Sequence, residues 1–421
     1  MRNKMKEVLN KIKPNKAEQT VFHTVTAVFL KKLNSNLKNA EAILGGSGAK
    51  DTWLSGSADV DIFVQYNYEE FVSKSMKLSD LLEPVLKKSF PKLKIERLHG
   101  SRDYFQLVYE HLNFEVVPIL KIAKAENAKN ITDISPLHAL WVNKNSKKLK
   151  DDIRLAKQFC KAHNLYGAES HITGLSGYVL EILVVYYGSF EKLLRAALLW
   201  KEKEVIDAAK YYQKKEALFH LNQSKLQSPL IVIDPVDKRR NAAAALSQDK
   251  FNLFKLKARD YLKKPSADFF VVHHVVKEEL EREAAAKKGH LVFIKVKPLT
   301  GKEDVVGAKL LKAFQFLEVQ LESYGIKKKG WDWLRKKEAV FYFIAEKKEL
   351  PQEFIQQGPP LKLTEYVFAF KKKYKETFEN QGKIFAKAKR NIFKIEDEVL
   401  LLLKDSYVEE RIADVIDVLF D

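Results

Sequence analysis

The stretch that most constrains the fold spans residues 45–64 and reads GGSGAKDTWLSGSADVDIFV. It opens with a Gly-Gly-Ser turn and ends with Asp59-Val60-Asp61 entering the apolar run 62–64, a pattern typical of a buried strand. Because successive side chains of a strand point to opposite faces, Asp59 and Asp61 share one face. Two carboxylates so close together repel each other unless a cation offsets the repulsion. Hard oxygen ligands of this kind suit Mg²⁺, which takes further ligands from water and substrate phosphates.

The small residues upstream of this strand indicate an anion site. Gly46 and Ser47 lie in a turn where backbone N–H groups can approach a phosphate, and Lys50 adds positive charge. A turn that can bind phosphate, followed by a strand that can hold a metal ion, is the combination that nucleotidyl transfer requires. Asp-x-Asp pairs and Gly-Ser turns are each common alone, so the prediction depends on their order.

That order resembles the signature of the DNA polymerase β-like nucleotidyltransferase superfamily. The string Lys-Asp-Thr-Trp-Leu at 50–54 narrows the resemblance to the archaeal-type (class I) CCA-adding enzymes, the tRNA nucleotidyltransferases. Strings at 165–190 and 229–247 look like the central domain of the same family. The resemblance implies an enzyme that adds C, C and A to tRNA 3′ ends from CTP and ATP, without a nucleic-acid template. Whether such a chain adds all of CCA or only a part stays open.

Composition points to the same kind of partner. The chain has 421 residues, enough for two or three domains, and 46% hydrophobic residues, as expected of a globular protein. Its 74 Lys and Arg against 55 Asp and Glu give a formal charge of +19. This surplus favours a polyanionic partner over a merely basic, solvated surface. The single cysteine, Cys160, excludes a disulfide framework and lies in a helical pattern typical of an inert core residue.

No targeting or membrane segment is predicted. The N-terminal string MRNKMKEVLNKIKPNK carries charges throughout and lacks the apolar centre of a signal peptide. No stretch of the sequence approaches the ~18 uninterrupted apolar residues that indicate a membrane-spanning helix. We therefore expect a cytoplasmic protein with no membrane partner.

The predicted fold class is α+β with several domains. The family resemblance implies a polymerase β-like, palm-like head with a mixed sheet over residues 1–136 and a helical central domain over 137–262. It implies an α+β RNA-binding domain over 263–421, in which residues 395–421 form an acidic helical tail. A hairpin is predicted from two extended runs at 104–109 and 114–120, and Gly-Pro-Pro at 358–360 predicts a turn.

The second extended run carries a candidate third carboxylate, Glu115, in the string Phe-Glu-Val-Val-Pro. An acidic residue on a buried strand is costly unless it is paired or metal-bound, although an exposed-face glutamate on a half-buried strand would read the same way. The string resembles the family's third-carboxylate strand, where an Asp usually precedes Val-Val-Pro. The resemblance implies that Asp59 and Asp61 bridge two metal ions while Glu115 completes the site facing the 3′-hydroxyl.

Four further residues are assigned by motif matching. His138, Lys157 and Tyr166 look like the family's triphosphate ligands from the central domain, and Arg240 looks like its base-reading arginine. A planar fork of five donors suits that role. The alternative for Arg240 is an exposed basic turn. Arg102 stands where the family tends to have a histidine, and we assign it no role.

Three further segments are interpreted from their sequence patterns. Residues 229–247 predict a strand, a Pro-bearing turn and an alanine-rich helix that begins at Asp237 or Asn241. Residues 179–187 predict a core helix without a chemical role. Residues 368–390 interleave lysines with aromatic residues, which suits either an RNA backbone or a solvated helical face.

Partners and rivals follow from the resemblance. The family contacts the acceptor and T-arm side of tRNA, and homodimerisation stays open. One rival is a poly(A) polymerase or oligoadenylate synthase-like enzyme, against which the strings at 165–190 and 229–247 argue. The other is a tRNA-binding relative with impaired catalysis. The intact Asp59 and Asp61 argue against it, whereas Glu115 mildly favours it.

Overall fold

The computed structural model describes residues 2–57, 59–213, 216–333 and 337–421. It divides into two units, Met1–His273 and His274–Asp421, which are treated separately below. Across the described ranges, no helix combines the length and the apolar character that crossing a membrane requires.

The first unit opens with an α+β head built on one mixed sheet. Its strands are β1 (Ala40–Leu44), β2 (Asp59–Tyr66), β3 (Glu96–Leu98), β4 (Tyr104–Tyr109) and β5 (Leu112–Leu120). The helices in this part of the chain are α1 (Arg2–Ile12), α2 (Lys16–Asn34), α3 (Gly46–Lys50), α4 (Tyr68–Phe71) and α5 (Leu78–Ser89). Val8 and Ile12 of α1 pack in the core of the helical part described below. The strand order is β1-β2-β5-β4-β3, in which β2 and β5 run parallel and the other neighbours run antiparallel.

Local sequence explains the main features of the head. Asn15 caps α2 in a capping box with Glu18, directly after the chain-breaking Pro14. The predicted hairpin is present, but its loop is only Glu110 and His111, both with positive φ as a two-residue turn requires. Along β2 the alternation buries Val60, Ile62 and Val64 in the core and turns the acidic residues to the other face.

The rest of the first unit is mostly helical, with a small sheet at one side. Its helices are α6 (Ser135–Asn145), α7 (Lys150–Ala162), α8 (Gly177–Tyr187), α9 (Phe190–Ala197), α10 (Ala217–His220) and α11 (Gln248–Lys263). Its strands are β6 (Glu204–Asp207), β7 (Leu230–Asp234) and β8 (Asp237–Asn241), in the order β6-β7-β8. Cys160 is buried in this core, as predicted.

The alanine-rich helix predicted from Asp237 or Asn241 is wrong. Residues 237–241 form β8, turns follow, and the next helix is α11, capped by Ser247. The reason is the Asn241 side chain, which bonds to the backbone of β7 instead of capping a helix. Its Oδ1 accepts from the N–H of Val232 and its amide donates to the carbonyl of Leu230.

The second unit contains two antiparallel sheets. One has the order β10-β11-β9-β15 and the other the order β12-β14-β13. The strands are β9 (His290–Lys297), β10 (Ile326–Asp332), β11 (Ala339–Ala345), β12 (Glu353–Pro360), β13 (Thr377–Asn380), β14 (Lys383–Lys389) and β15 (Asp414–Phe420). The helices are α12 (Lys277–Ala286), α13 (Glu303–Gln320), α14 (Thr364–Lys373), α15 (Ile395–Leu402) and α16 (Ser406–Glu409). Leu310 and Leu317 of α13 pack in one core with Phe341 of β11.

Three local predictions for this unit need correction. The tail is not helical throughout, because Asp414–Phe420 forms β15 and pairs along the otherwise open edge of β9. The Gly-Pro-Pro at 358–360 is no separate turn but ends β12, an edge strand where proline is tolerated. Residues 368–390 are not one helical face, since they comprise the end of α14, β13 and β14.

Candidate active site

Strand register brings three predicted carboxylates to one face of the head sheet. Asp61 on β2 lies opposite Glu115 on β5, and Glu115 in turn lies opposite Gln106 on β4. Gln106 Nε2 donates to Glu115 Oε1 at 2.6 Å. Asp59, two residues before Asp61, is exposed at the start of β2 and accepts from Asn113 Nδ2 at 3.5 Å. The predicted metal ligands therefore form one acidic row at the amino end of β2.

The electrostatics of this row call for positive charge. Burial, followed by the negative charge of Glu115 and then of Asp59, raises the pKa of Asp61 to about 7, although Lys50 and Lys157 act in the opposite direction. Among the described residues, no three ligands are already grouped tightly enough to enclose a metal ion. This arrangement fits a hard divalent cation that completes its shell with water and substrate phosphates.

Gly46 and Ser47 begin the short helix α3 beside the acidic row. Gly46 has a φ of +53°, and a Cβ added there would lie 1.6 Å from Asp61 Oδ2. The backbone N–H of Gly45 donates to the Asp61 carbonyl at 2.7 Å. Glycine at position 46 thus lets α3 begin directly against the carboxylate, with Ser47 half-buried in the same turn.

Lys50 and Lys157, both predicted to meet phosphates, converge on Glu181 of α8. Lys50 Nζ lies 2.6 Å from Glu181 Oε2, and Lys157 Nζ lies 2.9 Å from Oε1. The Thr52 hydroxyl donates to Oε1 at 2.7 Å. Burial by itself would raise the pKa of Glu181, but the two ammonium groups lower it to about 2. The single charged residue in the apolar string GYVLEILVVYY was the available signal, and interpreting 179–187 as core alone missed it.

His138 and Arg240 converge on a second buried carboxylate, Asp234 of β7. Its Oδ2 lies 3.0 Å from His138 Nε2 and 2.6 Å from Arg240 Nη1. The Tyr178 hydroxyl donates to Oδ1 at 3.0 Å, and the Tyr178 ring stacks on His138 with centroids 4.0 Å apart. Burial would raise the pKa of Asp234, but His138 and Arg240 lower it to about 2. Sequence reasoning missed both Asp234 and Tyr178.

Tyr166 precedes α8 in the chain, and its side-chain hydroxyl lies against the first residue of that helix. A Cβ added to Gly177, the first residue of that helix, would be 2.8 Å from the Tyr166 hydroxyl. Burial first, and then the charges of Glu181 and other acidic groups that include Asp61, raise the pKa of Tyr166. Tyr166 therefore belongs to the same neighbourhood as the Glu181 group, consistent with the motif that selected it.

Two buried arginines tie these elements together. Arg154 of α7 donates to the carbonyl of Asp51 at 2.7 Å and to its carboxylate at 2.6 Å, and it also reaches the Trp53 carbonyl at 3.1 Å. It thereby fixes the loop that follows α3, where Asp51 has a positive φ. Arg102, to which no role was assigned, pairs with the buried Asp133 at the connection into α6.

Two known protein families match the two parts of the chain that carry the site residues. Residues 27–138 match the family described as nucleotidyltransferase domain, and residues 151–271 match tRNA nucleotidyltransferase, second domain. The CCA-adding enzyme of Nanoarchaeum equitans is 40% identical over 288 residues, 68% of this chain and 68% of that protein. The CCA-adding enzyme of Methanosarcina acetivorans is 31% identical over 403 residues, 92% of this chain and 85% of that protein.

A solved structure supports the fold. A cytoplasmic RNA terminal U-transferase superposes with a TM-score of 0.51 at 15% identity, covering 65% of this chain and 100% of that chain. The predicted fold class, α+β and multi-domain with a polymerase β-like head, is confirmed. Enzymes of this nucleotidyltransferase fold generally use divalent metal ions. The family suggested by the motifs is confirmed as well, and the chain belongs to the archaeal-type CCA-adding enzymes, the tRNA nucleotidyltransferases.

Proposed function

We propose that the chain adds CCA to the 3′ end of tRNA from CTP and ATP, without a nucleic-acid template, at the acidic row of the head sheet. The observation that supports this most is the register that sets Asp61 beside Glu115, with the pKa of Asp61 raised to about 7. A row of carboxylates that repel one another next to Gly46 suits metal-assisted phosphoryl chemistry.

The acidic row would hold Mg²⁺. Asp59 and Asp61 would hold the ions together with Glu115, which would serve the side of the tRNA 3′-hydroxyl. When bound, the ions would activate that hydroxyl and neutralise the triphosphate and the leaving pyrophosphate. Gln106 holds the Glu115 carboxylate by a hydrogen bond of 2.6 Å, which restricts where the longer side chain can place its oxygens.

The chain's other residues would bind the nucleotide. Gly46 and Ser47 would donate to the phosphates from the first turn of α3. Lys50 and Lys157, held on Glu181, would place two positive charges within range of Asp61, whose pKa both of them lower. His138 and Tyr166 would be further triphosphate ligands. Arg240 would read the base with its planar donors.

The second unit would bind the acceptor and T-arm side of the tRNA. On α14, Tyr366 and Phe368 are 66% and 74% exposed, next to the lysines at 371–373. Exposed aromatic faces can stack on bases while lysines meet phosphates, which favours the RNA interpretation of 368–390. The domain limits proposed are 1–136, 137–262 and 263–421, in a cytoplasmic enzyme.

The direct test is incorporation into tRNA that ends at its discriminator base. Purified protein, Mg²⁺ and each labelled nucleoside triphosphate, separately and together, should give CMP and AMP addition with little UMP or GMP. The Asp59→Asn, Asp61→Asn double variant is the control, which lacks two of the three carboxylates proposed to hold the metal ions. A long poly(A) product, or activity on oligonucleotides without a tRNA fold, would instead favour a poly(A) polymerase. Binding of tRNA without incorporation would favour the catalytically impaired relative.

The charge surplus makes a second prediction, on tRNA binding. With a formal charge of +19, the protein should contact several phosphates, so affinity should fall steeply as salt rises. The log–log slope should be about −0.7 to −0.9 per neutralised phosphate. Filter binding or fluorescence anisotropy across a salt series measures it, and an affinity independent of salt would contradict the phosphate contacts.

A further inference from the structure

Asp234 is an isolated charge at the end of an apolar strand. It follows Leu230–Ile233 in β7, every residue of β7 is buried, and its side chain is 0% exposed. A buried charge is costly unless it is paired and hydrogen-bonded, so its partners should show what it is for.

Four donors from different parts of the first unit saturate this carboxylate. His138 Nε2 of α6 and Arg240 Nη1 of β8 meet Oδ2, while the Tyr178 hydroxyl of α8 and the backbone N–H of Val236 meet Oδ1. An ionised carboxylate has about four lone-pair sites and no donor, so all of its capacity is used. An asparagine would place an NH₂ group either against the Arg240 guanidinium or against the backbone N–H of Val236, and neither of these donors can accept from it.

The same carboxylate orients two of the groups assigned to the nucleotide. The Arg240 side chain is 30% exposed and the His138 side chain 13%, so both reach from the buried anchor towards solvent. Because Asp234 occupies Nε2 of His138, only Nδ1 of that ring is left to meet a nucleotide. Because it occupies Nη1 of Arg240, the remaining guanidinium donors point in a fixed plane.

We propose that Asp234 is a positioning residue for nucleotide selection, holding the Arg240 guanidinium and the His138 imidazole in one arrangement before the nucleotide binds. The proposal rests on the function proposed above, and it couples the base-reading arginine to a triphosphate ligand through one atom, Oδ2. Preorganised donors lose less freedom when the nucleotide arrives, so binding of the correct base is stronger. Free rotation of the guanidinium would let it satisfy incorrect bases as well.

A purely structural role for Asp234 makes a different prediction, and Asp207 supplies the matched control. Asp207 ends the neighbouring strand β6, opposite Ile233 of β7, and accepts from the N–H of Tyr212 at 2.8 Å. Asp207→Asn makes the same chemical change in the same small sheet, without touching Arg240 or His138. An effect on the sheet alone would appear in both variants.

The experiment compares wild type, Asp234→Asn, Asp234→Glu and Asp207→Asn in steady-state single-nucleotide addition. CTP and UTP are used on tRNA ending at the discriminator base, and ATP and GTP on tRNA ending in CC. Asp234→Asn should raise KM for CTP and ATP about tenfold and lower the ratio of correct to incorrect incorporation about tenfold, the scale of one lost charged hydrogen bond. Its kcat should change less than its KM, and Asp207→Asn should match wild type.

Asp234→Glu tests position separately from charge. It keeps the anion but moves it by one methylene, so selectivity should still fall while the protein folds and turns over. Wild-type selectivity and KM in either Asp234 variant would overturn the proposal. If Asp234→Asn does not fold, the result with Asp234→Glu decides between the positioning role and its absence. Equal losses in Asp234→Asn and Asp207→Asn would also overturn it. Failure of the proposed function itself is distinct, since wild type would then not add CMP to tRNA ending at the discriminator base.

Discussion

Two carboxylate groups in the first unit have opposite electrostatics. Glu181 lies between two ammonium groups, which lower its pKa to about 2 despite complete burial. Asp61 lies beside Glu115 and near Asp59, and burial together with these like charges raises its pKa to about 7. Burial raises the pKa of both side chains, so the difference comes from the sign of the neighbouring charges.

The contrast is between a carboxylate whose charge is balanced by groups of the protein and one whose charge is not. The Glu181 group is complete within the protein, because its carboxylate already has two cations and the Thr52 hydroxyl. At the acidic row the pKa of Asp61 is raised to about 7, so positive charge supplied from outside would favour its ionised form. We therefore expect the first group to contribute to folding and to hold lysines in place, and the second to bind the cation and do chemistry.

The largest expected effect is on stability, from Glu181→Gln. Removing the carboxylate leaves two buried ammonium groups uncompensated, which should lower the free energy of unfolding by about 3–5 kcal/mol. Denaturant unfolding of the full chain measures it. Glu191→Gln is the matched control, since its exposed pair with Arg195 should contribute within about 0.5 kcal/mol.

The pH dependence of this effect has a definite sign. The folded pKa of Glu181 is lowered from 4.5 to about 2, so its stabilising contribution is present above about pH 4.5 and is lost as the pH falls towards 2. The difference between wild type and Glu181→Gln should shrink in acid. A Glu181→Gln protein as stable as wild type at neutral pH would remove the distinction between the two groups.

The next effect is on catalysis, from Glu115. Glu115→Gln keeps the shape and deletes the charge, and single-turnover CMP addition with saturating tRNA should slow by about 100-fold, with the loss mainly in kcat. Glu115→Asp restores the family's usual residue and should keep most of the activity. Glu41→Gln, on β1 of the same sheet, should leave the rate unchanged. A Gln variant as fast as wild type would make Glu115 an ordinary strand-face glutamate.

The smallest effect is a pH trend in the metal-free protein. The folded pKa of Asp61 is raised above its unfolded value of 3.8. The contribution of its protonated carboxyl to the stability of the folded protein is therefore fully present below about pH 3.8 and is lost as the pH rises through about 7. From about pH 6 to about pH 8, the wild-type melting temperature should fall by about 2 °C relative to Asp61→Asn.

Calorimetry in chelator with and without added Mg²⁺ measures this trend. The cation should remove the difference in slope, because it favours the ionised carboxylate. Parallel pH profiles of wild type and Asp61→Asn in chelator would show that the acidic row is already compensated, and the contrast with Glu181 would fail.

Local sequence was enough for the elements that carry the site. The alternation of β2 required Asp59 and Asp61 to share a face, because a strand has a period of two. The hairpin that carries Glu115 and the helix that carries Cys160 followed from patterns within a few residues. These features depend on backbone geometry and on which side chains avoid water, and neighbouring residues determine both.

Only the tertiary structure decided which charges meet. Asp61 pairs with Glu115 through parallel strands, Lys50 with Glu181 across 131 residues, and these partners leave no local pattern. The last strand makes the same point in the second unit, where DVIDVLF fits a helix or a strand and the open edge of β9 selects the strand. A buried ion pair is specified by where two distant elements come together in the core, because only there does low dielectric make each charge depend on its partner.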